Sequence, residues 1–168
     1  MAVSKRAEFT TGSSFHRVLW DDAQYGNSET KLVADKKIKR VVICSGKVYY
    51  DLLEERDARG INDIYLLRVE QFYPFPAISM VNELERFKQA EIVWCQEEPM
   101  NQGAWYAIQH HLRRVMKRDA PGLPLQYAGR TAFAAPAVGY ASVHIEQQQK
   151  LVQSALVGET SDDEDSGK

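Results

Sequence analysis

Two adjacent carboxylates, Glu97 and Glu98, stand within Trp94-Cys95-Gln96-Glu97-Glu98-Pro99-Met100-Asn101-Gln102-Gly103-Ala104-Trp105, where an apolar strand gives way to a proline and a glycine then opens an amphipathic helix. Paired carboxylates can hold one proton between them at neutral pH, because each negative charge raises the pKa of the other. Neighbours on an extended segment point to opposite faces, which works against sharing a proton. Complementing the positive end of the following helix is the simpler role for the pair. His110-His111 suggests a metal, but adjacent helical positions lie roughly 100° apart, whereas ligand pairs on helices use i, i+4 spacing. The two histidines therefore fit a partly exposed helix face. Ser45-Gly46-Lys47 follows a strand and opens a helix, where backbone N–H groups bind anions, yet it lacks the further glycines of a phosphate loop or a dinucleotide fingerprint. Tyr127-Ala128-Gly129-Arg130 places a guanidinium just after a strand and a glycine. Its planar fork can grip a carboxylate or phosphate and serves a structural salt bridge equally well. Cys44 and Cys95 lie inside apolar strand patterns and read as reduced core thiols. The sequence presents no nucleophile with a base, no metal-ligand cluster and no complete phosphate loop.

These residues are strung along an alternation of short β-branched runs and segments of helical period, the mark of a layered α/β sheet. Arg40–Cys44 reads as a strand, followed by a helix with Val48, Leu52 and Leu53 that stops at Gly60. Ile64–Val69 is the next strand, and Tyr73-Pro74-Phe75-Pro76 then imposes an extended turn, because proline fixes its own φ and restricts its predecessor. A helix from Pro76 carries Met80, Val81, Leu84 and Phe87 on one stripe. Ile92–Cys95 is the third strand, and a Gln-Glu-Glu-Pro loop leads to a helix presenting Trp105, Ile108, Leu112 and Val115. Leu125–Ala128 reads as a fourth strand, and Ser142 is placed to cap a last helix with Ile145, Val152 and Leu156 facing inward. Continuously apolar strands imply burial on both faces, so the expected fold is a three-layer α/β arrangement with a mostly parallel sheet flanked by helices. Residues 1–38 form an N-terminal extension with a leading strand at Phe15–Trp20 and a second near Lys31–Val33, packed on the α/β domain of residues 39–157. Residues 158–168 lack apolar side chains, carry like charge, and are expected to be a disordered acidic tail.

The 168 residues, 44% hydrophobic and 26% charged, suit one globular core. Five of the 23 acids and one of the 21 bases lie after Gly158, which leaves 18 acids against 20 bases before it. So even a balance argues against nucleic acid as a partner. No run approaches the roughly 20 apolar residues of a membrane span, and no apolar signal region follows Met1. The expected compartment is the cytoplasm.

Five blocks carry a resemblance: Cys44 to Leu52, Arg68 to Pro76, Trp94 to Trp105, Tyr127 to Arg130, and Ala135-Pro136-Ala137-Val138-Gly139-Tyr140. In this order, over roughly Ser4 to Leu156, the chain closely resembles the C-terminal, transketolase-like domain of the thiamine-dependent decarboxylating component of 2-oxoglutarate dehydrogenase. The resemblance implies membership of an oxidoreductase of the tricarboxylic acid cycle that decarboxylates 2-oxoglutarate and succinylates a lipoyl carrier. It also implies that thiamine diphosphate and Mg²⁺ sit between two upstream domains, so that no catalytic, cofactor-binding or metal residue is expected in this chain. The expectation is a fragment or truncated reading frame, inactive alone, with a structural and dimerising role. Implied partners are the upstream thiamine-binding domains, a homodimer partner, the lipoyl succinyltransferase component, and an adenine nucleotide or acyl-coenzyme A effector. Arg130 matches an arginine of the effector region. Arg17 and Arg68 are nominated from their positions beside strands in matched blocks, and an interdomain ion pair is the competing use of all three. An exposed aromatic patch from the 72–76 and 100–106 loops is expected where other domains dock. The alternative reading is a free-standing nucleotide- or acyl-coenzyme-A-binding α/β module.

Overall fold

A computed structural model describes residues 12, 14–119, 123–135 and 138–158, so the expectations for residues 1–11 and for the acidic segment 159–168 lie outside the described residues. The elements in chain order are β1 (Val18–Leu19), β2 (Arg40–Cys44), α1 (Val48–Ala58), β3 (Ile64–Val69), α2 (Ala77–Leu84), β4 (Glu91–Pro99), α3 (Trp105–Asp119), β5 (Leu125–Arg130) and α4 (Ala141–Val157). Five strands form one sheet in the order β1-β3-β2-β4-β5. β1 is antiparallel to β3, and every other pairing is parallel, with Val42 opposite Leu66 on one side and Val93 on the other.

Strand periodicity sorts the core into two layers. Val41, Ile43, Tyr65, Leu67, Ile92 and Trp94 pack with Met80 and Leu84 of α2 and with Ile108 and Leu112 of α3. Val42, Cys44, Leu66, Val93 and Cys95 face the other way, against Val48 and Leu52 of α1 and Leu151, Ala155 and Leu156 of α4. The whole of β2 is buried, so the expected three-layer fold is present.

Several local expectations are corrected. β4 does not end at Cys95 but runs to Pro99, because its backbone pairs again with Arg130 of β5 after an irregularity. The leading strand is only Val18–Leu19, with Phe15 and Trp20 exposed, and Lys31–Val33 is not a strand. Phe87 lies in a 3₁₀ turn rather than in α2, where it packs on Tyr65 at 4.7 Å between ring centres. α4 begins at Ala141 with Tyr140, not Ser142, at its cap. Ile145 is 57% exposed, whereas Val152 and Leu156 face the core as expected, so only the C-terminal half of α4 is packed.

A buried ion pair fastens residues 14–38 to this sheet. Asp21 and Arg56 are both wholly buried. The carboxylate accepts from Nη1 and, at 2.9 Å, from Nη2 of Arg56. It also accepts from the backbone N–H groups of Leu66, at 2.7 Å, and Ala23, at 2.9 Å. Near the short β1, Asp21 thus takes the place of a strand partner for Leu66 of β3.

Asp21→Ala leaves the buried Arg56 guanidinium only the more distant carboxylate of Asp57, 3.6 Å from Nε, and should cost about 3 kcal/mol, read as a lower urea midpoint. The pair replacement Asp21→Leu with Arg56→Met should recover only part of that loss, since the Leu66 amide stays unpaired.

Candidate functional site

Parallel strands all end on one edge, and the chain divides there. β2 passes through Ser45-Gly46-Lys47, with Gly46 at φ +72°, into α1 on one face of the sheet. β4 leads into α3 on the opposite face. Such a reversal opens a crevice between the ends of neighbouring strands, the usual place for ligands on open α/β sheets.

Polar side chains from four elements meet in that crevice. The ammonium of Lys47 donates to Glu97 Oε1 and lies 3.7 Å from Asp51, and its hydrogen bond to Glu97 raises the lysine's pKa above the ordinary value. From α4, the Gln148 amide donates to Asp51 at 2.8 Å and to Glu97 at 3.1 Å, and its carbonyl accepts from Arg130 Nη2 at 3.2 Å. The same Nη2 lies 3.1 Å from His144 Nδ1. A guanidinium has only donors, so Nδ1 is the acceptor in this contact. Arg130 therefore has an imidazole and an amide as hydrogen-bond partners and no carboxylate among the described residues. Its Nε is buried without a partner, and so is Gln147 Oε1. Both residues line one cavity of about 50 Å³, walled by Pro99, Phe133 and Val138 among others. A donor and an acceptor left open in one small space of mixed polar and apolar lining can take a polar group that carries both functions.

The arginines nominated from sequence do not converge. Arg68 is the next-to-last residue of β3, where it pairs with Glu70 at 2.8 Å and lies over the rings of Tyr49 and Tyr50 at 4.7 and 5.4 Å. The Arg17 carbonyl accepts from Glu70 N–H at 2.9 Å, while its side chain is exposed. β2 and β4 separate β3 from β5, which puts Arg68 about 14 Å across the sheet from Arg130 by strand spacing.

The two carboxylates behave as adjacent strand residues should. Glu97 turns to Lys47 and Gln148, whereas Glu98 turns to Gly103, where an added Cβ would lie 3.0 Å from its side chain. His110 and His111 have ring centres 3.9 Å apart, and Phe75 stacks on His111 at 4.8 Å. Desolvation, His110 and Arg114 all lower the pKa of His111. Among the described residues no three His, Cys, Asp or Glu side chains converge as metal ligands. Sequence reasoning missed Gln96, whose buried amide binds Trp94 Nε1 and Trp105 N–H through its oxygen and the Glu98, Pro99 and Gln102 carbonyls through its nitrogen. A polar residue continuing a buried strand was the signal. Gln148, Asp51 and His144 gave none, since an exposed helix face would show the same residue types.

Of the expected aromatic patch, Phe72, Tyr73 and Tyr106 are exposed, Phe75 is half-buried and Trp105 is buried.

Cys44 and Cys95 are register partners on β2 and β4, and both are buried. Burial pushes the Cys44 thiol up to about 12 and Cys95 well above its usual range. Iodoacetamide at pH 8 should leave both untouched until urea unfolds the chain, as read by mass spectrometry. Unfolded thiols ionise near pH 8.5 while the folded ones keep their protons, so stability from these groups should fall as pH rises from about 8.5 toward 12. Alkylation of the folded protein would contradict the packing described.

A family model described as 2-oxoglutarate dehydrogenase C-terminal matches residues 3–156. The 2-oxoglutarate dehydrogenase E1 components of Brucella ovis and Brucella anthropi are each 57% identical over 157 residues, and that of Brucella abortus 56%. These alignments cover 92% of this chain and 16% of each relative, so the chain spans about a sixth of the length of the proteins it matches.

Proposed function

Since the chain belongs to the 2-oxoglutarate dehydrogenase C-terminal family, we propose that it serves as the C-terminal layer of an enzyme that decarboxylates 2-oxoglutarate and passes the succinyl group to a lipoyl carrier in the tricarboxylic acid cycle. The observation that carries this reading is 57% identity over nearly the whole chain to proteins named as the E1 component. Thiamine diphosphate and Mg²⁺ belong, in this proposal, to other domains of the enzyme. Among the described residues no three His, Cys, Asp or Glu side chains converge as ligands for its Mg²⁺, and Glu97 is engaged by Lys47.

The role left to this chain is packing against the thiamine-binding domains and a homodimer partner, with the lipoyl succinyltransferase component as the partner of the assembly. The exposed Phe72, Tyr73, Ile78 and Tyr106 support a docking role. A cytoplasmic location is part of this proposal; separately, no helix among the described residues is long and apolar enough to cross a membrane.

An effector site is the second part of the proposal, with an adenine nucleotide or acyl-coenzyme A bound through Arg130. A positive group with no carboxylate partner among the described residues and an open Nε supports that assignment. Arg17, beside β1 at the opposite edge of the sheet, is left out of this site. Arg68, held by Glu70 and two tyrosines, fits the ion-pair role better.

The 168-residue chain supplied with 2-oxoglutarate, thiamine diphosphate and Mg²⁺ should release no CO₂, and release would overturn the accessory role. In calorimetry, ADP or acetyl-coenzyme A should bind the wild type and lose at least tenfold in affinity with Arg130→Ala. Unchanged binding in the variant would remove Arg130 from the site.

A further inference from the structure

The exposed face of α3 carries a charge pattern that the proposed role leaves unused. His110, Arg113, Arg114 and Lys117 are all exposed, at spacings of three and four residues that set them side by side along the helix. No Asp or Glu occurs between Trp105 and Arg118. Elsewhere Arg40, Arg56, Arg59, Arg68 and Arg86 each pair with a carboxylate. Arg113 donates only to Gln109 at 3.3 Å, and Arg113, Arg114 and Lys117 have no carboxylate partner among the described residues. Like charges at these spacings repel one another. The helix dipole compensates a cation in the last turn, but its effect fades within that turn and does not reach Arg113.

The complementary charge lies in the same chain. Glu159, Asp162, Asp163, Glu164 and Asp165 follow α4 and lie beyond the family match, which stops at residue 156. α4 delivers the chain to the right edge of the sheet. The carbonyls of Ser154 and Ala155 accept from Arg40 at the start of β2, and a Cβ on Gly158 would lie 3.1 Å from that arginine. Arg40 also binds Glu91 at the start of β4, which pairs alongside β5 from Ile92 and Leu125 onward. α3 returns to this same edge, since it runs back from the end of β4 to precede β5. Crossing two strands and one packed layer is about 20 Å, and the seven residues from Gly158 to Asp165, the last acid, reach up to about 23 Å.

We propose that the acidic segment 159–168 docks on the basic stripe formed by Arg113, Arg114 and Lys117 of α3. The stripe is an interaction surface for an acidic polypeptide, and this segment is its occupant. A competing acidic surface must displace it, so docking on α3 is sensitive to ionic strength and to any change in the segment's charge.

A nitroxide on Ser166→Cys tests the contact in the isotope-labelled full chain, since Cys44 and Cys95 are buried and unreactive beside an exposed thiol. At low salt the amide signals of residues 110–117 should be broadened, equally at all protein concentrations. The broadening should vanish in about 0.5 M salt, in the Arg113→Gln, Arg114→Gln, Lys117→Gln variant, and when Asp162, Asp163, Glu164 and Asp165 are replaced by their amides. Unbroadened 110–117 signals at low salt, broadening that survives either charge removal, or broadening that grows with concentration and so reports a second copy would each overturn the proposal.

Discussion

Two-sided burial of β2 sets the terms for everything else in this molecule. Five consecutive residues, Arg40 to Cys44, are enclosed, and a strand with no wet face needs an apolar layer above and below it. α1 and α4 supply one layer, α2 and α3 the other. To build both from one chain, the connections must leave the sheet in opposite directions on either side of β2. The crevice between the ends of β2 and β4 follows from that division, and so does the meeting of Lys47, Glu97, Gln148 and Arg130 within it.

The crevice is held by amides more than by charges. Gln148 satisfies Asp51, Glu97 and Arg130 together, and Gln96 ties the irregular end of β4 to the first turn of α3. An amide carries donor and acceptor on one rigid plane, so it can join groups of unlike character without a net charge in the interior. One consequence is that the arginine at the end of β5 keeps its charge unmatched. A carboxylate in place of Gln148 would remove that asymmetry, and with it the reason for an anion to approach.

The layered fold was legible because apolar runs such as Val41-Val42-Ile43 and Tyr65-Leu66-Leu67 report burial directly. What escaped was held by other forces. β4 beyond Cys95 is kept extended by backbone pairing at Pro99 and by the Gln96 amide, neither of which leaves an apolar signature. Helical period places Ile145, Val152 and Leu156 on one stripe but does not say where along α4 the core ends, and Ile145 lies past that point. Gln147, Gln148 and Gln149 are indistinguishable by type, yet one joins the crevice network, one lines the cavity, and only the folded helix tells them apart. Arg130 reads in the sequence as following a strand that ends at Ala128, but that strand runs on through Gly129 to Arg130 itself. The family words of the sequence carried the identity, which no single constellation of side chains could.

Asp21 has a protective side to its geometry. β3 is flanked on its outer side by only the two residues of β1, and an uncovered strand edge is a template on which another chain can extend the sheet. By accepting from Leu66 N–H, the carboxylate blocks that edge with a group that cannot propagate a ladder. Removing the 14–38 segment would therefore do more than loosen the fold. It would leave β3 as a sticky rim, and association of chains through that rim would compete with correct folding of the monomer.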